Sequence, residues 1–214
     1  LTAGMRFTCA ILDDGSVRCW GSNAYGQLGV GDTQARGDGP GEMRSNLPAV
    51  ALGTGRTAVA LSAGFEHVCA LLDNGTVKCW GHNQHGQLGQ GDTLDRGDAA
   101  GEMGDSLPAV PLGTGRTALA VSAGYAHSCA LLDSYTVKCW GFNMVGQLGL
   151  GDTDSRGDQP SEMGNHLPAV DLGTSLLAKS VATGHASNTT CALLNDPDQS
   201  VKCWGDNQRG QLGQ

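Results

Sequence analysis

Apolar and polar positions along this chain fall into short β-type runs separated by turn residues. In the stretch Cys69 to Gly89, CALLDNGTVKCWGHNQHGQLG, an apolar run gives way to Asp-Asn-Gly and then to a second short run ending in Trp-Gly. That order predicts a β-hairpin. The stretch recurs from Cys9, Cys129 and Cys191, so the rest of the chain is spacer between copies. The spacers lack long three-four periodic apolar stripes and are dense in Gly and Pro, which disfavours helices. One unit reads as four strands, Thr57 to Ala63, His67 to Leu72, Thr76 to Trp80 and Pro108 to Leu112. Four antiparallel strands per repeat describe a propeller blade.

The hairpin register follows from its turn. A three-residue loop Asp73-Asn74-Gly75, with Gly75 in the left-handed region, sets Leu72 opposite Thr76 and Cys69 opposite Cys79. A two-residue Asn-Gly loop would instead set Cys79 opposite Ala70. Counted from the closing pair, the two cysteines fall in a non-hydrogen-bonded pair, where side chains approach most closely and a cross-strand disulfide fits. The fourth copy has a turn two residues longer, and an even insertion still leaves Cys191 facing Cys203. The third copy carries Tyr135 where Gly75 stands, which predicts a strained turn or one of another type.

Cys9, Cys69 and Cys129 lie sixty residues apart, as do Trp20, Trp80 and Trp140; the fourth unit slips by two residues before Cys191 and two more before Trp204. A period of this size signals a solenoid, an array or a propeller. The units run from about 1–56, 57–116, 117–176 and 177–214, one partial propeller over 1–214. The turn of Ala-Gly, the hairpin, and then Trp80-Gly81, Asn83, Gly86-Gln87-Leu88-Gly89 and Gly91-Asp92 resemble the regulator of chromosome condensation repeat. Trp20, Asn23, Gly26 to Gly29 and Gly31-Asp32 repeat it, as do Trp140, Asn143 and Gly146 to Gly149, and Trp204, Asn207 and Gly210 to Gly213. The resemblance implies an all-β propeller, in that family usually of about seven blades, of which this chain holds about 3.5. An open arc of blades exposes sheet edges and apolar faces, so the chain is expected to continue beyond these residues or to pack against a protein partner or copies of itself.

Composition narrows the compartment. The 214 residues include 34 glycines, a net charge of -8 and eight cysteines in four pairs. Pairs with nine or eleven residues between them suit zinc poorly, and Cys9–Cys19, Cys69–Cys79, Cys129–Cys139 and Cys191–Cys203 read as disulfides of an extracellular or cell-surface protein. Each such loop stabilises by roughly 2 to 3 kcal/mol. Two sequons, at Asn74 and Asn188, agree with an oxidising compartment and with glycans. No membrane span or signal-peptide pattern occurs, but the chain opens on Leu1 inside a repeat, so an upstream segment is expected and the missing signal carries no weight.

The spacer is longer than the family's usual connection, and long loops on a rigid scaffold are candidate binding loops. Arg36-Gly37-Asp38, Arg96-Gly97-Asp98 and Arg156-Gly157-Asp158 spell an integrin-type tripeptide, although an Arg and an Asp flanking a Gly turn also serve to hold a loop together. Asp92, Asp95, Asp98 and Glu102 offer oxygens to calcium but match no established ligand pattern, so a solvated acidic loop is the favoured reading and no cofactor is expected. Asn83 and Gln87 read as backbone hydrogen-bonding residues of the winding loop, and Trp80 as inter-blade packing. His67 and His127 occupy a slot that holds Phe7 in the first unit, hence a packing slot. No catalytic constellation recurs, and the expectation is a non-enzymatic interaction or structural module. The family's best-known activity, nucleotide exchange on a small GTPase with chromatin attachment, is the alternative; 13 basic against 21 acidic residues disfavour nucleic acid as a partner. A lectin or enzyme using the central funnel remains as a third class.

Overall fold

The computed structural model describes residues 1–213; Gln214, the end of the fourth unit, lies outside the described residues. The chain is all-β, and its strands group into four antiparallel sheets of three, each in sequence order. They are β1 (Thr2–Ala3), β2 (Phe7–Ile11) and β3 (Val17–Gly21); β4 (Ala58–Ala63), β5 (His67–Leu72) and β6 (Val77–Gly81); β7 (Ala118–Ala123), β8 (His127–Leu132) and β9 (Val137–Gly141); and β10 (Ala178–Thr183), β11 (Thr189–Leu194) and β12 (Val201–Gly205). We number the blades 1 to 4 in that order.

The hairpins take the expected register. Cys69 pairs with Cys79, Leu72 N–H donates to Thr76 O at 2.9 Å, and Gly75 closes the turn at φ 77°. Cys9 pairs with Cys19, Cys129 with Cys139 and, across the longer turn, Cys191 with Cys203; all four pairs are disulfide-bonded at Cα separations of 4.0 to 4.1 Å. Tyr135 keeps the same turn by adopting φ 60°, its N–H bonded to Leu132 O at 2.8 Å. An L-residue in that region carries strain of about 1–2 kcal/mol.

The fourth strand expected at Pro108 to Leu112 is not a strand. That segment reaches its blade through one backbone bond, Val110 N–H to Val77 O at 2.8 Å, and Val50 and Val170 do the same in their blades. Pro48, Pro108 and Pro168 bring no N–H, so the bond cannot propagate into a ladder. The spacer instead grips at its other end, where Arg96 exchanges two backbone bonds with Gly81 at 2.8 and 3.2 Å.

Apolar side chains gather between blades rather than within them. One cluster joins Cys9, Cys19 and Leu28 of blade 1 to Val68, Ala70 and Trp80 of blade 2. The next joins Cys69, Cys79 and Leu88 to Ala130 and Trp140, and the third joins Cys129, Cys139 and Leu148 to Ala192 and Trp204. The cystine face of each blade thus packs on the Trp face of its successor, because successive residues of a strand point to opposite faces. The innermost strands are stitched side by side: Ala63 N–H donates to Thr2 Oγ1 at 3.0 Å, and Ala123 and Thr183 N–H to Ser62 and Ser122 Oγ at 2.9 Å.

Candidate interaction face

Two sets of loops meet at one end of every blade. The Ala-Gly turn joins the first strand to the second, and the third strand returns antiparallel to end at Trp-Gly-x-Asn, so both lie at the same end of the sheet. The second loop is rigid. Asn83 Oδ1 accepts from Leu88 N–H at 2.9 Å, its Nδ2 donates to Asp92 O at 2.9 Å and Leu94 O at 3.0 Å, and Gln87 Oε1 accepts from His85 N–H at 2.9 Å. Asn83 and Gln87 are buried; Asn143 repeats all three Asn83 bonds, and Asn23 repeats those to Leu28 and Asp32. Trp80 Nε1 donates to Gln27 O of blade 1 at 3.1 Å, Trp140 to Gln87 O at 3.0 Å and Trp204 to Gln147 O at 3.0 Å. A Cβ at Gly29 would sit 2.7 Å from the Trp80 indole nitrogen, so that approach requires glycine.

On this frame stand the side chains that differ between units. Met5, Phe65 and Tyr125 occupy one position; Arg6, Glu66 and Ala126 the next; Ser22, His82 and Phe142 a third; and Ala24-Tyr25, Gln84-His85 and Met144-Val145 the last two. Exposed positions elsewhere in the repeat vary too, but here the variation brings in rings: Tyr25, Phe65, Tyr125 and Phe142 are four of the chain's six Phe and Tyr residues. They meet across blade boundaries, Tyr25 against His82 at 4.2 Å between ring centroids, Phe65 against Tyr125 at 4.6 Å and His85 against Phe142 at 4.7 Å. Between blades 1 and 2 they leave a cleft of about 330 Å³ walled by Met5, Arg6, Tyr25, Phe65 and Glu66. A smaller hollow of about 70 Å³ follows between blades 2 and 3, where His82 Nδ1 lies 3.7 Å from Glu66 Oε2. Burial and the neighbouring His82 lower the His85 pKa, against an opposing pull from Asp158. Sequence reading by repeat similarity passed over these residues; the differences between units were the signal that pointed to them.

The other candidate residues lie elsewhere. Each tripeptide is engaged within its own loop: Arg96 Nη2 donates to Asp92 Oδ2 at 2.7 Å and its Nη1 to Leu94 and Asp95 carbonyls, and Arg36 and Arg156 repeat the pattern. The loop is also a blade-to-blade contact. Gly97 O accepts from Gly31 N–H at 3.0 Å, Gly157 O from Gly91 N–H at 3.0 Å, and a Cβ at Gly26 would lie 2.3 Å from Asp98 N. Glu102 Oε2 accepts from Gly97 and Ala99 N–H at 2.9 and 3.1 Å. Burial and the adjoining Glu102 raise the Asp98 pKa, and burial and Asp158 raise that of Glu162; Asp38 stands at the matching position in blade 1. Among the described residues no three His, Cys, Asp or Glu side chains are grouped to hold a metal ion, and no helix is long and apolar enough to cross a membrane.

His67 and His127 are fully buried at blade boundaries. Ser128 Oγ donates to Gln87 O at 2.9 Å and lies 2.9 Å from His67 Nε2, so that nitrogen carries the proton and donates to the hydroxyl. Thr190 serves His127 in the same way, and among the described residues Nδ1 of neither ring has a partner. Burial drives His67 down to about 3, with smaller contributions from His127 and His82, and His127 down to about 4. In blade 1 the slot holds Phe7, and the residue corresponding to Ser128 is Val68. Asn74 stands exposed at a hairpin tip, while Asn188 is half-buried at the boundary of blades 3 and 4.

Three-stranded sheets packed Trp face to cystine face, with their first strands side by side, define a β-propeller built from tandem repeats. Models of the Regulator of chromosome condensation (RCC1) repeat match residues 1–27, 58–87 and 119–147, and 74–131, together more than half of the chain. The chain belongs to the RCC1 repeat family. It is 31% identical over 213 residues to the probable E3 ubiquitin-protein ligase HERC6 of Homo sapiens, covering all of this chain and 19% of that protein. It is 32% identical over 208 residues to protein pim1 of Schizosaccharomyces pombe, covering 96% and 34%. The crystal structure of Prp20p from Saccharomyces cerevisiae superposes with a TM-score of 0.69 at 24% identity, covering 99% of this chain and 45% of that one. The chain thus spans less than half the length of each.

Proposed function

We propose that this chain is a protein-interaction module of an extracellular or cell-surface protein, and that it engages a protein partner through the face formed by the Ala-Gly turns and the Trp-Gly-x-Asn loops. The concentration of four of six Phe and Tyr residues on that face, at positions that differ in every unit, carries the reading. Rigid aromatic anchors in clefts at a blade boundary are the kind of surface on which protein interfaces concentrate their binding energy. Four disulfides, three of them with both cysteines inaccessible to solvent, support the oxidising compartment. RCC1-type relatives offer a precedent for partner binding, since Prp20p is described as binding Gsp1p and histones. A net charge of -8 favours a protein partner over nucleic acid.

Site-specific photo-crosslinking on the intact surface or secreted fraction of the source cells tests the face. Crosslinkers at Tyr25, Phe65 and Tyr125 are expected to capture one common protein, and a crosslinker at Asp14 on the opposite end is expected not to. Equal capture from both ends would overturn the assignment. The alternative, exchange on a small GTPase, predicts accelerated nucleotide release from at least one member of a GTPase panel.

A further inference from the structure

We infer that Asn74, and not Asn188, is an N-glycan attachment site, placed so that the sugar leaves the interaction face free. The inference rests on the extracytoplasmic reading above. Both residues satisfy the Asn-x-Ser/Thr rule. The structure separates them.

Asn74 lies at the exposed tip between β5 and β6. Its Oδ1 accepts from Thr76 N–H at 3.1 Å and from Thr76 Oγ1 at 2.7 Å, so the hydroxyl is already turned to the carboxamide, and Nδ2 is free of hydrogen bonds among the described residues. The same tip is occupied by Asp14 in blade 1, whose Oδ1 accepts from Ser16 N–H at 2.9 Å, and by Ser134 in blade 3, whose Oγ lies 2.8 Å from Thr136 Oγ1. The turn therefore requires only a short acceptor, and a glycan on the outward nitrogen of Asn74 disturbs no bond that holds it. Because β5 runs from the Ala-Gly turn to this tip, the sugar would sit at the end of the blade away from Phe65, His82 and Tyr125.

Asn188 has the opposite surroundings. It precedes β11 on the interaction face, its Oδ1 accepts from Gln147 Nε2 at 3.3 Å, and its backbone oxygen accepts from Asp206 N–H at 3.0 Å. The Thr190 hydroxyl that completes its sequon is buried between the His127 ring and the Gln147 carbonyl. A sugar there would crowd the Gln147 side chain at the boundary of blades 3 and 4.

The reaction needs a polyprenyl-diphosphate-linked oligosaccharide and its transferase. Asn74 Nδ2 forms a bond to the anomeric carbon, the bond from that carbon to the diphosphate oxygen breaks with its electron pair leaving on the diphosphate, and one amide proton passes to a base of the transferase.

The test uses protein from its native source, digested without reduction after peptide-N-glycosidase treatment in heavy-oxygen water, together with the full chain secreted from a glycosylating cell line. The label is expected at Asn74 alone. In secreted protein N74D is expected to lose the single glycan mobility step while remaining folded, as Asp14 does in blade 1, and N188D to keep it. An unlabelled Asn74 in protein whose eight cysteines are disulfide-bonded, or loss of the step in N188D but not N74D, would overturn the site. Eight free thiols with no label would overturn the compartment reading and the site with it.

Discussion

Single residues in this chain come with their own controls, because each position is filled up to four times in near-identical surroundings. Gly15 and Gly75 turn their hairpins at φ 76° and 77°, and Tyr135 does the same at φ 60°. Tyr135→Gly is therefore expected to stabilise the chain by about 1 kcal/mol, read as a Tm rise of about 2–4 °C. The buried histidines make a second comparison. Their folded pKa values, about 3 and about 4, lie below the unfolded value of 6.5, so the unfolded chain takes up protons first as pH falls. Stability is fully present above pH ~6.5 and declines toward pH ~4, by about 1.4 kcal/mol per pH unit for each histidine. The double replacement H67F/S128V copies the Phe7 and Val68 pairing of blade 1 and should flatten part of that acid limb in denaturant titrations at pH 4 to 7. An unchanged slope would remove His67 from the cause.

At the scale of the element, the hairpin and its cystine form the unit, and how much was legible divides along that line. Loop length and period-two alternation were enough to place Cys69 opposite Cys79, and the two-residue insertion before Cys203 kept its pair in register. The spacer was misread as a fourth strand because Leu-Pro-Ala-Val has strand-like composition; its proline withholds the donor that a ladder needs. The six cysteines of the first three blades are inaccessible to solvent. Removing both Cys69 and Cys79 should cost about 2–3 kcal/mol under oxidising conditions and nothing in reductant.

Across the whole molecule, stability passes from blade to blade. Every residue of β5 and β8 is buried, since a blade packs on each side of both strands. Strands packed on both faces open rarely, so hydrogen exchange should protect β5 and β8 longer than the spacer loops over 31–48 and 91–108. Equal protection of strands and spacers would count against that. The aromatic face formed by the Ala-Gly turns and the Trp-Gly-x-Asn loops also belongs to this scale. Tyr25 and His82 are 57 residues apart in sequence and touch only because adjacent blades bring their loops together.

The sequence by itself determined the period, the hairpin register, the disulfide pairing and the structural roles of Asn83, Gln87 and Trp80, since all of these depend on local alternation and on repetition within one unit. The tertiary structure alone decided what lies between units: that the core is inter-blade, that the Arg-Gly-Asp loops staple neighbouring blades, that Phe65, His82 and Tyr125 converge on one face, and that Asn74 and Asn188 point to opposite ends. Those relations depend on the angle and distance at which one sheet meets the next. Side-chain order along a strand carries no record of them.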